Sequence, residues 1–177
     1  RLSQWLSQNA NDQRYLFTSH DLRAFCCEHA DSAFKTLLSR AVRSGLLVRV
    51  CRGVYFYKGA CSADGLLLFH VAALLRADKF NYISLETVLS DAGVISQVPM
   101  QWISVMSSGR SSTITCGEFG TIEFVHTNQT PVSVMDQLIY DHHCGMWRAS
   151  VALALRDMKA ARRNLDLINW DIVNELI

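Results

Sequence analysis

The sequence predicts an α+β protein in which a winged helix-turn-helix at residues 1–59 precedes a mixed domain at 60–177 with a small antiparallel sheet and several helices. Three observations point there. Apolar residues recur at helical spacing three times before Gly45, the period shortens to two immediately after it, and β-branched runs gather between residues 102 and 126 with helical patterns on both sides.

Leu2, Trp5 and Leu6 open the chain on one helical face. Polar Asn9, Asn11 and Asp12 then lead to an extended Tyr15-Leu16-Phe17. Thr18 or Ser19 can cap a second helix, because a hydroxyl there accepts an N–H that the first turn leaves without a partner; Leu22, Phe25 and Cys26 form its buried stripe. Asp31 is placed to cap a third helix that stops at Gly45 in a left-handed turn.

At ~100° per residue, Phe34, Leu37, Leu38, Ala41 and Val42 of that third helix fall within roughly 140°, the width of a core-facing stripe. Its opposite side collects Ser32, Thr36, Ser39 and Arg43, flanked by Lys35 and Arg40. A merely solvated helix usually mixes signs to gain i,i+4 pairs, so a face of hydroxyls and cations with no acid is informative. Beyond Gly45, Leu46, Val48 and Val50 alternate with Leu47 and Arg49; Cys51-Arg52-Gly53 supplies a turn and Val54-Tyr55-Phe56-Tyr57 a return strand. Helix, turn, helix and cationic hairpin is the order of a winged helix-turn-helix, whose third helix enters the major groove while the wing touches flanking backbone. Candidate DNA-binding residues are therefore Ser32, Lys35, Thr36, Ser39, Arg40, Arg43, Arg49 and Arg52. The alternative is a protein-interaction module whose winged helix docks a partner without reading DNA.

In the second half, Asp64 to Lys79 reads as a helix apolar almost all round, with His70 as a satisfied core histidine rather than a ligand. Ser84 would cap a shorter helix, with Thr87 at the capping-box position, Leu85, Val88 and Leu89 on its core side and Gly93 at its end. Strands at Trp102–Met106, Ser112–Thr115 and Thr121–Val125 suggest a three-stranded antiparallel meander. Helices are expected at about 133–143, 146–163 and 165–177, with Asp166 and Glu175 on the last.

Composition bounds the function. With 50% of its 177 residues hydrophobic and 19% charged, the chain is globular rather than disordered. No apolar run approaches the ~20 residues that cross a bilayer, and nothing reads as a signal peptide, although the chain opens at Arg1 without a methionine, as a fragment would. Six cysteines without a Cys-x-x-Cys pair, mostly in apolar stretches, suit free thiols in a reducing compartment, so the cytoplasm is expected. The net charge of +1 conceals a division: residues 1–59 carry nine Lys or Arg against four Asp or Glu, and residues 60–177 carry eight against twelve. Such bipolarity suggests a polyanion-binding end joined to a neutral or acidic domain.

Tyr82-Ile83-Ser84-Leu85-Glu86, Leu89, Gly93, Pro99, Gly109-Arg110-Ser111, Phe119-Gly120-Thr121-Ile122-Glu123-Phe124 and His126 together resemble the AbiEi family of abortive-infection antitoxins and transcriptional regulators. Ser39-Arg40-Ala41, Gly45-Leu46 and Arg52-Gly53-Val54-Tyr55 are similar to that family's winged helix, so the likeness spans roughly residues 15–130. It implies a bacterial antitoxin that binds inverted repeats of double-stranded DNA in its own promoter and represses its operon. Its C-terminal domain would counter a co-encoded AbiEii-type nucleotidyltransferase toxin, with direct contact left open. In the resemblance the eight candidate residues occupy the positions that face DNA.

Other chemistry has less support. Asp141-His142-His143-Cys144 has metal-ligand residue types, but consecutive residues on a helix diverge by about 100°, so a helix-end cluster beside Gly145 is the better reading. Ser107 to Ser112 could cradle an anion, and a hairpin turn explains it as well. Glu118 and Glu123 lack a partner base. Arg156, Lys159, Arg162 and Arg163 form a second basic stripe, either a solvated face or a supplementary DNA or toxin contact. No G-x-S-x-G, P-loop, H-E-x-x-H or G-x-G-x-x-G string occurs, so the sequence is not read as an enzyme, and no catalytic residue, cofactor or metal is assigned.

Overall fold

The computed structural model describes residues 1–61, 63–96 and 101–177; Pro99 of the resemblance lies outside them. The chain divides into two compact units, Arg1–Asp64 and Gly65–Ile177.

The first unit runs α1 (Leu2–Asn9), β1 (Leu16–Thr18), α2 (Ser19–Phe25), α3 (Asp31–Arg43), β2 (Val48–Cys51) and β3 (Val54–Phe56). Its antiparallel sheet has the order β1-β3-β2, which is the winged helix-turn-helix arrangement. Leu6, Phe17, Leu22, Leu38 and Leu47 fill the core, and Trp5 stacks on Phe25 with ring centroids 4.8 Å apart. Each such side chain taken from water stabilises the unit by about 1.5–3 kcal/mol. Thr18 caps α2 as expected, accepting from the Asp21 N–H while the Asp21 carboxylate accepts from the Thr18 N–H. Asp31 does not cap α3: Ala30 holds that position, and the Asp31 carboxylate pairs with Arg23 instead. Val42, expected on the core stripe, is 37% exposed, because the stripe narrows to Phe34, Leu38 and Ala41 where α3 leaves the core.

The second unit contains α4 (Leu67–Leu75), β4 (Asn81–Ile83), α5 (Leu85–Asp91), β5 (Trp102–Ser107), β6 (Ser112–Thr115), β7 (Thr121–His126), α6 (Pro131–Val134), β8 (Leu138–Asp141), β9 (Met146–Ala149), α7 (Val151–Ala160) and α8 (Trp170–Leu176). The sheet has six strands in the order β6-β7-β5-β4-β9-β8. It is mixed, not the antiparallel meander expected: β5 pairs in parallel with β7, Val105 opposite Phe124, and β4 pairs in parallel with β9. Ile103, Val105 and Met106 of β5 are all buried, the near-continuous apolar pattern of a strand covered on both faces of its sheet. The chain reaches β6 at the sheet's edge before a turn returns it as β7, and a Cβ at Gly120 in that turn would overlap the Gln101 carbonyl.

Other expectations in this unit shift. The first helix is shorter, Leu67 to Leu75: just beyond it the Arg76 carbonyl accepts from the Lys79 N–H and from Asn81 Nδ2, which turns the chain into β4. Ser84 stands at the N-cap of α5, but its hydroxyl donates to Asp157 at 2.7 Å, while Thr87 accepts the Ser104 N–H at 2.9 Å; the predicted cap is spent on tertiary contacts. Leu85, Val88 and Leu89 are buried and Gly93 ends the turn with φ +76°, as the sequence indicated. The helices expected over 133–143 and 146–163 are replaced by α6, the β8–β9 hairpin and α7, since Leu138 to Asp141 and Met146 to Ala149 find strand partners. Asp166 precedes α8 and only Glu175 lies on it.

Candidate nucleic-acid interface

Phe34, Leu38 and Ala41 anchor one side of α3, and this fixes the direction of the other. Ser32, Lys35, Thr36, Ser39, Arg40 and Arg43 are all exposed. Thr36 donates its hydroxyl to the Ser32 carbonyl at 2.9 Å. Arg49 and Arg52 are also exposed, Arg52 at the tip of the β2–β3 hairpin where Gly53 takes φ +78°. A bulge between Arg49 and Cys51 breaks strict alternation, so Val50 and Cys51 are both buried while Arg49 stays outside. The Ser19 N–H donates to the Gly53 carbonyl at 2.9 Å and ties the wing's turn to the start of α2.

None of Lys35, Arg40, Arg43, Arg49 and Arg52 forms an ion pair with a described residue. Two of the unit's acids are engaged elsewhere, Asp21 in the α2 capping box and Asp31 with Arg23. The face therefore offers hydroxyl donors and unneutralised cations.

Arg23 is the residue that sequence reasoning missed. From α2 it donates to the carbonyls of Cys26 at 3.1 Å and His29 at 2.8 Å, reaches Asp31 at 2.9 Å, and lays its guanidinium over the Phe34 ring, 5.1 Å from the centroid. It thus binds the α2–α3 turn and the first turn of α3 into one body. The ion pair with largely exposed Asp31 adds little; the carbonyl bonds and the stacking matter more. A spacing of eight residues to Asp31 across a turn has no periodic signature.

The remaining candidates scatter. Arg156 and Lys159 are exposed on α7, whereas the helix ends before Arg162 and Arg163. Arg163 leaves the predicted stripe: it pairs with Glu86 at 3.0 Å and with Glu123, whose bond to it is the main reason its guanidinium holds its proton more tightly than usual. Glu123 is accordingly an ion-pair partner, and Glu118 sits on a one-turn helix. The 107–112 segment is not a hairpin turn, because β5 and β6 are not neighbours. Arg76 donates to Ser107, the Arg110 carbonyl and Ser112, and the Gly109 N–H donates to Ser107, so the segment's polar groups serve each other.

Asp141 to Cys144 forms the turn of the β8–β9 hairpin rather than a helix end. Asp141 accepts the N–H groups of His143 and Cys144 and pairs with Arg148 at 3.0 Å; burial opposes its charge, but these partners hold its carboxyl below the usual range. Burial pushes the Cys144 thiol up to about 11. Among the described residues no three His, Cys, Asp or Glu side chains are grouped to hold a metal ion. His70 is hydrogen-bonded as expected, with Nε2 2.6 Å from the His143 carbonyl, but it is half-buried rather than in the core. Among the described residues no disulfide joins any of the six cysteines. No described helix is long and apolar enough to cross a membrane.

Residues 6–58, nearly the whole winged unit, match a family model described as "Transcriptional regulator, AbiEi antitoxin". The likeness read from the sequence holds over that stretch, and the family is one of antitoxin transcriptional regulators. No curated protein matches the chain.

Proposed function

We propose that this chain is a DNA-binding transcriptional autorepressor and antitoxin: α3 enters the major groove of inverted repeats in its own promoter, and the wing holds the flanking backbone. The second unit acts against a co-encoded nucleotidyltransferase toxin. One observation carries the DNA reading, namely the exposed face of α3 and wing on which five cations lack an acidic partner among the described residues. Hydroxyl and guanidinium groups on one rigid helix suit base edges and phosphates together, and the Arg23 clamp keeps that helix in register with the rest of the unit.

The test is fluorescence anisotropy with a labelled fragment of the operon's promoter, repeated across salt concentrations. If all five cations reach phosphates, log K falls with log salt at a slope of about −4 to −5 per protomer. Replacing Arg40 or Arg43 with alanine should weaken binding by about 1–3 kcal/mol for each side chain that reads a base. Both residues are exposed, so folding should change by less than about 0.5 kcal/mol. A slope near zero, or equal binding by wild type and both variants, defeats the reading. Co-expression with the neighbouring toxin gene tests the antitoxin role separately, and growth rescue should survive the Arg40→Ala change.

A further inference from the structure

We propose that the β8 edge of the six-stranded sheet, unpaired among the described strands, is a self-association surface, on which β8 of one copy pairs antiparallel with β8 of a second copy about a two-fold axis through Ile139. β8 is the terminal strand of the sheet. The Gln137 carbonyl accepts from the Ser150 N–H and the Asp141 carbonyl from the Gly145 N–H, while Ile139 stands opposite Arg148. The main-chain groups of residues 137, 139 and 141 therefore turn toward β9, and those of Leu138 and Tyr140 turn outward. Soluble proteins blunt such an edge by keeping it short or with lysine, proline or a bulge, and of these β8 has only its length of four residues. Leu138-Ile139-Tyr140-Asp141 contains no lysine or proline and pairs with β9 without a register shift. Ile139, at its middle, is 77% exposed, and Tyr140 beside it is 39% exposed.

The strand is complementary to itself. With the axis at Ile139, Leu138 of each copy faces Tyr140 of the other, so outward groups meet outward groups and four main-chain hydrogen bonds close. The two Ile139 side chains meet in the non-hydrogen-bonded position, where cross-strand side chains lie closest. Exposed Asp136, on the 3-10 turn that leads into β8, comes to the same end of the pairing as exposed His142, on the turn that follows β8 of the other copy, and the symmetry makes this approach twice. Moving the axis to Tyr140 would set Ile139 against Asp141, and moving it to Leu138 would set Tyr140 against Asp136. An unrelated strand could satisfy the main chain but would not match Asp136 and His142 reciprocally, and a closed two-fold contact is the commonest way for a chain to bind itself.

Sedimentation velocity on the full chain over a range of concentrations tests the proposal and does not involve DNA, so its failure leaves the promoter-binding reading untouched. A concentration-dependent dimer is expected. Ile139→Lys places two ammonium groups face to face and should raise the dimer dissociation constant by at least about tenfold, with circular dichroism unchanged. Asp136→Lys and His142→Asp should each weaken the dimer, and the double variant D136K/H142D should restore it to within about threefold of wild type, since an acid again faces a hydrogen-bond donor across the two copies. A monomer at every concentration overturns the proposal. So does a dimer indifferent to Ile139→Lys, or a double variant as weak as its singles.

Discussion

Five cations of the winged unit form no ion pair with a described residue, whereas the second unit encloses two of its arginines between carboxylates. Arg148 sits 2.7 Å from Asp91 and 3.0 Å from Asp141, and Arg163 lies between Glu86 and Glu123. The difference follows from burial. A guanidinium three-quarters withdrawn from water must find compensation inside the protein, while one at the surface stays hydrated at little cost and remains available to an external anion. An arginine's surroundings therefore separate a structural role from a binding one more sharply than its sequence spacing does.

Arg163 should show the largest effect. Its Nε lies 3.0 Å from Glu86 at an angle that makes an ion pair but not a hydrogen bond, and its terminal nitrogens serve both acids. Arg163→Met leaves two partly buried carboxylates facing each other and should destabilise the protein by about 2–3 kcal/mol, less than a fully buried pair because a quarter of the side chain is exposed. Urea unfolding measures this, and the salt slope of promoter binding should not change. A loss below about 1 kcal/mol would place Arg163 with the solvated cations after all.

Arg23 sharpens the contrast from within the winged unit, since it is a cation there with a structural task. Arg23→Ala removes two bonds to the α2–α3 turn and the stacking on Phe34, so stability should fall by about 1–2 kcal/mol. Promoter affinity should fall too, but with the slope against salt preserved, because a positioning side chain neutralises no phosphate. A shallower slope in this variant would make Arg23 a DNA contact instead.

These contrasts also explain what was legible beforehand. The winged unit is built from local contacts: Thr18 with Asp21, a stripe at Phe34, Leu38 and Ala41, and a hairpin closed at Arg52-Gly53, each carrying its own sequence period or turn residue. The second unit depends on pairing between distant segments. Nothing local in Trp102–Ser107 says that it will run parallel to Thr121–His126, with β6 placed outside both. The apolar pattern around Ile139, Tyr140 and Trp147 reads as helix, whereas each segment finds a strand partner across a turn in which Gly145 takes φ +67°. Likewise the spacing predicts one stripe through Arg156, Lys159, Arg162 and Arg163, but α7 stops at Ala160 and Arg163 turns to Glu86 and Glu123. The candidate interface was readable because exposure on one helix face follows from period alone. The Arg23 clamp was not, because it crosses a turn.

Asp157 gives the smallest and most conditional effect. Its carboxyl is 3% exposed and accepts from the Tyr82 hydroxyl at 2.9 Å and Ser84 Oγ at 2.7 Å. Burial holds its pKa above the usual carboxylate range; the two hydroxyls and nearby Arg156 favour the charged form but do not overcome burial. The folded protein then binds this proton more tightly than the unfolded chain does. The associated stability is complete below the ordinary carboxylate pKa and is lost as pH rises through the raised folded value. Asparagine keeps a carbonyl oxygen to accept one hydroxyl and cannot ionise, so Asp157→Asn should gain up to about 1 kcal/mol at neutral pH and lose part of that decline. Urea midpoints for both proteins between pH 4 and 8 decide it. If Asp157→Asn is less stable at pH 7 and more nearly equal at pH 4, the buried carboxylate is held charged by its hydroxyl partners, and even this unit tolerates an acid without a cation bonded to it.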